Sequence, residues 1–200
     1  MNWPVTLTAD GVTLRPLRIR DGRAWREVRR RNHDWLQPWE ATLPPEGLTD
    51  GEQIPSYSAM VRGLRLDARE GRSLPWAIEF DRRLIGQVTV GGITRGSMRG
   101  AHIGYWIDQA YAGRGLMPTA VAMALDHCLD TLRLHRIEVN IRPENAASRR
   151  VAEKLGLRME GERPAYLHIA GQWRDHLTYV ALARDFPHGV LEHFRAARGS

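Results

Sequence analysis

The 200-residue sequence contains one cysteine, Cys128, and one lysine, Lys154. A single cysteine cannot form an internal disulfide, and its place in an apolar helical pattern indicates a small buried side chain. No apolar run approaches the ~18 residues that a transmembrane helix needs. The start, Met1-Asn2-Trp3-Pro4, lacks the basic segment and apolar stretch of a signal peptide. The sequence therefore predicts a soluble cytoplasmic protein that does not associate with membranes.

Because lysine is so scarce, arginine supplies almost all of the positive charge, and the formal net charge is +6. Arginine richness is explained either by coding bias or by a weak attraction to polyanions and acidic ligands. The sequence has no lysine-rich tail and no regular interleaving of aromatic and basic residues. We therefore expect no direct recognition of nucleic acid.

The length and the 42% hydrophobic content predict one globular domain over residues 1–200, with a core at about 12–183 and a helical tail at 184–200. Periodicity predicts a mixed α/β (α+β) fold with a mostly antiparallel meander in front. The predicted strands are 12–17, 76–80, 84–90, 101–107, 136–141, 159–168 and 176–182. The predicted helices are 22–31, 55–70, 118–132, 145–155 and 188–197.

The most informative segment is YWIDQAYAGRGLMP at residues 105–118. It reads as a strand, a short loop with two glycines, and a helix whose first turn contains Pro118, where a missing N–H costs nothing. Glycines allow backbone N–H groups to approach a ligand closely, and a helix N-terminus favours negative charge. The segment therefore predicts an anion site, although it matches neither a P-loop nor a dinucleotide fingerprint.

Two motifs in order resemble the GCN5-related N-acetyltransferase (GNAT) superfamily. The run AGRGLM at 112–117 is similar to the family's pyrophosphate loop, and NAASRRVAEKLGL at 145–157 is similar to its second signature helix. The words LRPL at 14–17 and DHLTY at 175–179 resemble the branch of ribosomal-protein alanine N-acetyltransferases. The resemblance covers about residues 12–183. It implies a central, mostly antiparallel twisted sheet of about seven strands with a splayed strand pair that binds acetyl-CoA.

The resemblance also implies which residues hold acetyl-CoA, the co-substrate, without any metal. Unpaired backbone near Trp106 and Ile107 would bind the pantetheine arm, and an N–H there would face the thioester oxygen. The backbone N–H groups of Arg114, Gly115, Leu116, Met117 and Thr119 would surround the pyrophosphate. Asn145 would bind the arm, with the helix N-cap as an alternative role, and Ser148 lies one turn further on the same face.

Two catalytic candidates follow. Glu138, in the predicted strand at 136–141, matches a position where some family members place the general base, although a solvated strand-face charge is an equal alternative. The tyrosine that acts as the acid in other members is Ala152 here. Ser148, a water molecule or the departing thiolate would then complete proton transfer. Ala112 also replaces the usual Gln or Arg of the loop, but backbone N–H groups carry most of the phosphate binding.

The acceptor substrate is the part of the predicted function that the sequence determines least. Trp35 and Trp39 lie in an early loop that borders the acceptor site in this family, and they either wall a groove for a peptide N-terminus or pack in the core. We expect acetyl transfer to the N-terminal α-amine of a protein, such as a ribosomal protein. The alternatives are a small-molecule amine (an antibiotic, amino acid or polyamine) and a CoA-binding module without catalysis. A monomer and a homodimer are equally compatible with the sequence.

Overall fold

The computed structural model describes residues 3–45 and 55–199. Within these ranges the strands are β1 (Leu7–Ala9), β2 (Val12–Pro16), β3 (Leu74–Phe80), β4 (Arg83–Thr94), β5 (Gly100–Ile107), β6 (Arg136–Ile141), β7 (Arg158–Ile169) and β8 (Gln172–Leu182). The α-helices are α1 (Gly22–Arg31), α2 (His33–Leu36), α3 (Tyr57–Arg69), α4 (Leu116–Asp126), α5 (Ala146–Lys154) and α6 (Val190–Gly199).

The strands form one sheet in the order β1-β2-β3-β4-β5-β6-β8-β7. Every neighbouring pair is antiparallel except β5 and β6, which are parallel. Parallel neighbours require a crossover connection, and here α4 makes it. This mixed, mostly antiparallel sheet with helices on its faces is the fold class that the sequence predicts.

Alternation along the strands divides the core between the two faces of the sheet, because successive side chains point to opposite faces. Trp76 and Ile78 of β3 pack with α4, α5 and α6 in the larger cluster, whereas Ala77 between them packs with α1 and α3 in the smaller one. The residues of β6 follow the same rule: Ile137 and Val139 are buried in the larger cluster. Odd-numbered positions of β6 therefore face α4.

The sequence predictions and the structure differ in three places. Strand β1 was not predicted, because three residues are too few to establish an alternation. The strand predicted at 84–90 continues through Gly91 and Gly92 to Thr94 in β4, where the register with β5 is irregular and Gly92 has φ +60°. The helix predicted at 118–132 is α4 followed by a π-helical turn at His127–Thr131.

In the part of the chain that the structure describes, we find no helix whose length and apolar character suffice for a membrane crossing.

Candidate active site

A cavity of about 680 Å³ opens where β5 and β6 separate. It is walled by four segments: the turn after α1, the end of β5, the loop that leads into α4, and α5. The lining side chains and backbone that concern the chemistry are Arg29, Trp35, Trp39, Glu40, Tyr105, Trp106, Ile107, Tyr111, Gly113, Gly115, Met117, Glu144, Asn145, Ser148 and Lys154.

The cavity exists because β5 and β6 pair over only three residues. Their register runs from Gly100↔Arg136 to His102↔Glu138, after which β5 continues to Ile107 without a partner on that side. The Asp108 N–H donates to the Ile85 carbonyl of β4 at 2.7 Å. Because consecutive residues of a strand direct their backbone groups to opposite sides, the N–H and C=O of Ile107 face the gap. The edge of β5 therefore offers a free N–H donor to the cavity.

Trp35 holds this edge in place. Its indole N–H donates to the Ile107 carbonyl at 3.2 Å, so the carbonyl is satisfied while the N–H of the same residue stays available. Trp39 lies further along the same wall, under the guanidinium of Arg142 at 5.3 Å from its ring centre. The structure thus places both tryptophans of the early loop in the cavity wall rather than in the core.

The loop from Ala112 to Gly115 turns the chain from β5 into α4. Gly113 and Gly115 have φ of +77° and +81°, a region that side chains with a Cβ disfavour. The first N–H groups of a helix have no intrahelical partner, and the α4 N-terminus therefore directs donors and partial positive charge toward the mouth of the loop. The donors and the partial positive charge suit a phosphate group, such as the pyrophosphate of acetyl-CoA.

Not every predicted loop residue reaches the cavity. Gly115 and Met117 line it, whereas Arg114, Leu116 and Thr119 do not. The Arg114 guanidinium stacks over the rings of Phe80 and Tyr111. The Thr119 N–H and hydroxyl both donate to the Gly115 carbonyl, at 3.2 and 3.1 Å. Thr119 therefore stabilises the first turn of α4 and has no donor left for a ligand.

Helix α5 contributes Asn145 and Ser148 to the opposite wall. The Asn145 side-chain oxygen accepts from the Ser148 N–H at 3.0 Å, so Asn145 is the N-cap of α5 while it also lines the cavity. The Ser148 hydroxyl donates to the Tyr105 hydroxyl oxygen at 2.8 Å, and the Tyr105 hydroxyl donates to the Ser148 carbonyl at 3.3 Å. Burial raises the pKa of Tyr105, so its hydroxyl keeps its proton at neutral pH.

Glu138 is not brought to this cavity. It is 14% exposed on β6, and its two carboxylate oxygens are held by Arg136 at 2.9 Å and Arg163 at 2.9 Å. The sequence left two alternatives for Glu138, the general base and a strand-face charge, and the structure surrounds it with two guanidinium groups outside the residues that line the cavity.

Two residues at the site were not assigned a role from the sequence. Tyr105 stands at a core-facing position of β5. Alternation along the strand could have revealed this position, and a hydroxyl on the core side would have marked Tyr105 as a candidate functional residue. Arg29 packs over the rings of Trp25 and Trp106 and forms an ion pair with Glu40. Trp25 is only four positions away on α1, but Glu40 and Trp106 are 11 and 77 positions away, so no local pattern identifies the full set of contacts.

Within residues 3–45 and 55–199, no group of three or more His, Cys, Asp or Glu side chains could hold a metal ion.

Comparison with known proteins supports the geometry. The family model described as an acetyltransferase (GNAT) domain matches residues 12–158. The [ribosomal protein uS5]-alanine N-acetyltransferase of Escherichia coli is 31% identical over 191 residues, which cover 92% of this chain and 94% of that enzyme. A solved structure of Mycobacterium smegmatis RimJ in complex with CoA-disulfide has a TM-score of 0.88 and 40% identity, and covers 98% of this chain and 96% of that one. The ribosomal-protein-S5-alanine acetyltransferase of Vibrio fischeri has a TM-score of 0.78 and 27% identity, with 90% and 98% covered.

Proposed function

Because this chain belongs to the GNAT acetyltransferase family and is an acetyl-CoA-dependent N-acetyltransferase, we propose that it acetylates the N-terminal α-amine of a protein, such as a ribosomal protein. The observation that carries this proposal is the continuity of one cavity. It runs from the glycine loop at 113–115, past the open edge of β5, to the wall that contains Trp35 and Trp39. Similarity along nearly the whole chain to enzymes that acetylate an N-terminal alanine of a ribosomal protein supports the acceptor.

The residues of the cavity fit acetyl-CoA from end to end. The N–H groups at Gly113, Gly115 and the first turn of α4 would hold the pyrophosphate. The unpaired edge of β5 would pair with the amides of the pantetheine arm, as a missing strand would. Lys154, which lines the cavity on α5, adds positive charge on the same side as the phosphates. Acetyl-CoA supplies the acetyl group as an activated thioester.

In the transfer step the chain has two tasks. The Ile107 N–H faces the gap and would donate to the oxygen that gains negative charge when the amine nitrogen bonds to the thioester carbon. One donor of this kind is typically worth about 3 kcal/mol of barrier reduction. The C–S bond then breaks, the nitrogen releases a proton to solvent, and the sulfur takes up a proton. The hydroxyls of Ser148 and Tyr105 lie together at the cavity wall and would provide the proton for the sulfur, after which solvent would reprotonate the pair.

The acceptor amine needs little help to lose its own proton. The α-amine of a peptide has a pKa of about 7.8 and that of lysine about 10.4. Near pH 7.5 roughly a third of an α-amine is neutral, against about one lysine in a thousand, which is a difference of about 3 kcal/mol. Among the residues that the structure describes, no carboxylate lies deep in this cavity, and such a site is suited to the α-amine, because the neutral form is already abundant.

The structure describes two carboxylates in the cavity lining, those of Glu40 and Glu144, and both stand near solvent. The side chains of Glu40 and Glu144 are 36% and 61% exposed, and each pairs with an arginine, Arg29 and Arg142 respectively. They would attract a protonated amine toward the opening without removing its last proton inside. The tryptophans between them would then flank the first residues of the acceptor. An acceptor on the ribosome would place this enzyme in the cytoplasm.

The proposal is tested by measuring CoA release from acetyl-CoA with a panel of acceptors. The panel contains peptides that begin with Ala, Ser or Thr, the same peptides with a blocked N-terminus, and small amines including aminoglycosides. We expect kcat/KM to be highest for a peptide with a free N-terminus and to vanish when that terminus is blocked. Preference for small amines would replace the acceptor and keep the chemistry. Tight CoA binding with no turnover on any acceptor would instead favour a non-catalytic module.

A further inference from the structure

The C-terminal helix α6 is held against α4 by hydrogen bonds at its first residues and by packing in the core. Its first N–H groups, at Val190 and Leu191, donate to the Asp126 carboxylate at 2.5 and 3.1 Å. Val190 and Phe194 are 0% and 2% exposed and belong to the main core. Because α6 is hydrogen-bonded to the last residue of α4 and packs in the same core as α4, its direction relative to α4 is fixed.

Asp126 is the last residue of α4, so α6 begins where α4 ends. The two helices have 11 and 10 residues and therefore nearly equal lengths at 1.5 Å per residue. An antiparallel arrangement brings the end of α6 back to the start of α4, where the glycine loop lies. The Arg198 guanidinium confirms this: its Nη1 and Cζ atoms lie 3.2 and 3.5 Å from the point where a Cβ on Gly115 would stand.

Arg198 and Arg195, on the same helix, differ in the partners of their guanidinium groups. Arg195 pairs with Asp10 at 2.8 Å and with Glu192 at 2.5 Å. Arg198 stacks over Phe194 at 5.5 Å, and within the described residues it forms no salt bridge within 4 Å. The charge of Arg198 helps to lower the pKa of Asp10, but among the described residues no carboxylate reaches salt-bridge distance of it. A solvent-exposed guanidinium of this kind, held beside a phosphate-sized loop, is suited to a phosphate ligand.

We propose that Arg198 is a binding residue for the pyrophosphate of acetyl-CoA, delivered by α6 to the face of the loop opposite the cavity wall of α5. This rests on the placement of the pyrophosphate at Gly113–Gly115 in the proposed function. The helix lies beyond residues 12–158, the part that the family model matches. The C-terminal tail therefore completes the co-substrate site instead of only covering the core.

The test compares Arg198→Gln with the wild-type enzyme on three acetyl donors. S-acetyl-CoA has a pyrophosphate and a 3′-phosphate, S-acetyl-dephospho-CoA retains only the pyrophosphate, and S-acetyl-pantetheine has no phosphate. We expect Arg198→Gln to raise KM about tenfold for the first two donors with little change in kcat, and to leave kcat/KM for S-acetyl-pantetheine unchanged. Arg198→Lys is expected to recover part of the loss, and Arg195→Gln, on the same helix, is expected to behave as wild type.

Each other outcome is decisive. An equal loss with S-acetyl-pantetheine would mean that the substitution disturbs the fold and would overturn the proposal. A loss confined to S-acetyl-CoA would assign Arg198 to the 3′-phosphate and would also overturn it. Calorimetric titration of CoA into the wild-type enzyme separates this proposal from the proposed function: absent binding there contradicts the site itself, whereas normal binding that Arg198→Gln does not weaken contradicts only the role of Arg198.

Discussion

The hydroxyl pair of Tyr105 and Ser148 is the feature of the site that depends most on single residues. Each hydroxyl has the other residue as its partner, at 2.8 and 3.3 Å, so neither is an independent proton donor. The tyrosine acid of other family members is Ala152 here. Ser148 lies one turn before Ala152 on the same face of α5, and Tyr105 meets it from β5. We therefore propose that two residues together, rather than one, supply the proton to the departing thiolate.

We predict that Tyr105→Phe and Ser148→Ala each lower kcat by roughly a hundredfold, which is the lower end of what a positioned acid contributes. The double variant should be no slower than the slower single variant, because the two residues act as one unit. The control is Tyr111→Phe, a second cavity tyrosine on the loop side. Steady-state kinetics at saturating acetyl-CoA measure this, and wild-type kcat in both single variants would show that the thiolate leaves unassisted.

Glu138 provides a second test at this scale. Both of its oxygens are held by arginines outside the cavity lining, so we predict that Glu138→Gln changes kcat by less than about twofold. The comparison variant is Glu160→Gln, which removes another partner of Arg136. A fall of tenfold or more in Glu138→Gln alone, with unchanged acetyl-CoA affinity, would restore Glu138 to the role of general base.

The sequence could predict only part of the site at the scale of residues. Ser148 and Asn145 were found because they belong to one continuous motif at a helix start. Tyr105 and Arg29 were not. The partner of Tyr105 is 43 positions away, and Arg29 contacts not only Trp25 on its own helix but also Glu40 and Trp106, which are 11 and 77 positions away. Glu138 was proposed from its match to a family position, with a strand-face charge as the alternative, and that match does not reveal Arg163, which β7 brings to the same carboxylate.

At the scale of elements, Asp108 joins α1 to the loop that follows β5. It is 1% exposed and accepts hydrogen bonds from Arg31 at 2.5 Å and Asn32 at 2.9 Å. Burial alone would raise the pKa of Asp108, but the hydrogen bonds from Arg31 and Asn32 outweigh it and hold the pKa below its usual range. The carboxylate therefore stabilises the folded state in its charged form.

We predict that Asp108→Asn lowers the free energy of unfolding by about 1–3 kcal/mol at pH 7, since a charge-assisted buried network is broken. Because the folded pKa lies below the unfolded value of about 3.9, this contribution is complete above that pH and is lost as pH falls through the folded pKa. Urea unfolding at pH 7 and pH 3 measures it. Glu27→Gln, an exposed partner of Arg30 on the same helix, should stay within about 0.5 kcal/mol. A difference between Asp108→Asn and wild type that does not shrink with falling pH would contradict this assignment.

Most helices and strands were predictable because their apolar residues recur with a regular period along the sequence. Strands with a buried and an open face alternate, and α5 has a clear N-cap in Asn145 and a left-handed terminus at Gly156. The exceptions have physical causes. Strand β1 is too short for a period, and the end of α4 opens into a wider π-helical turn at His127–Thr131, which an apolar stripe does not distinguish from α-helix.

At the scale of the whole molecule, the candidate active site lies where two neighbouring strands of the sheet separate. The short pairing of β5 with β6 leaves an open strand edge, α4 and α5 start beside it, and the early helices close it with tryptophans. The order of elements along the chain predicts this sheet, but where two strands part depends on packing across the sheet. The separation of β5 from β6 therefore entered the sequence analysis only through the family resemblance.

The central claim is that the acceptor nitrogen is a protein α-amine, and one measurement tests it most directly. A peptide that begins with alanine and contains an internal lysine is incubated with the enzyme and acetyl-CoA, and tandem mass spectrometry locates the acetyl group. We predict acetylation of the α-amine with at least a hundredfold preference, which the difference of about 3 kcal/mol in neutral amine supports. Acetylation of the lysine, or an untouched peptide beside an acetylated small amine in the same mixture, would contradict the account.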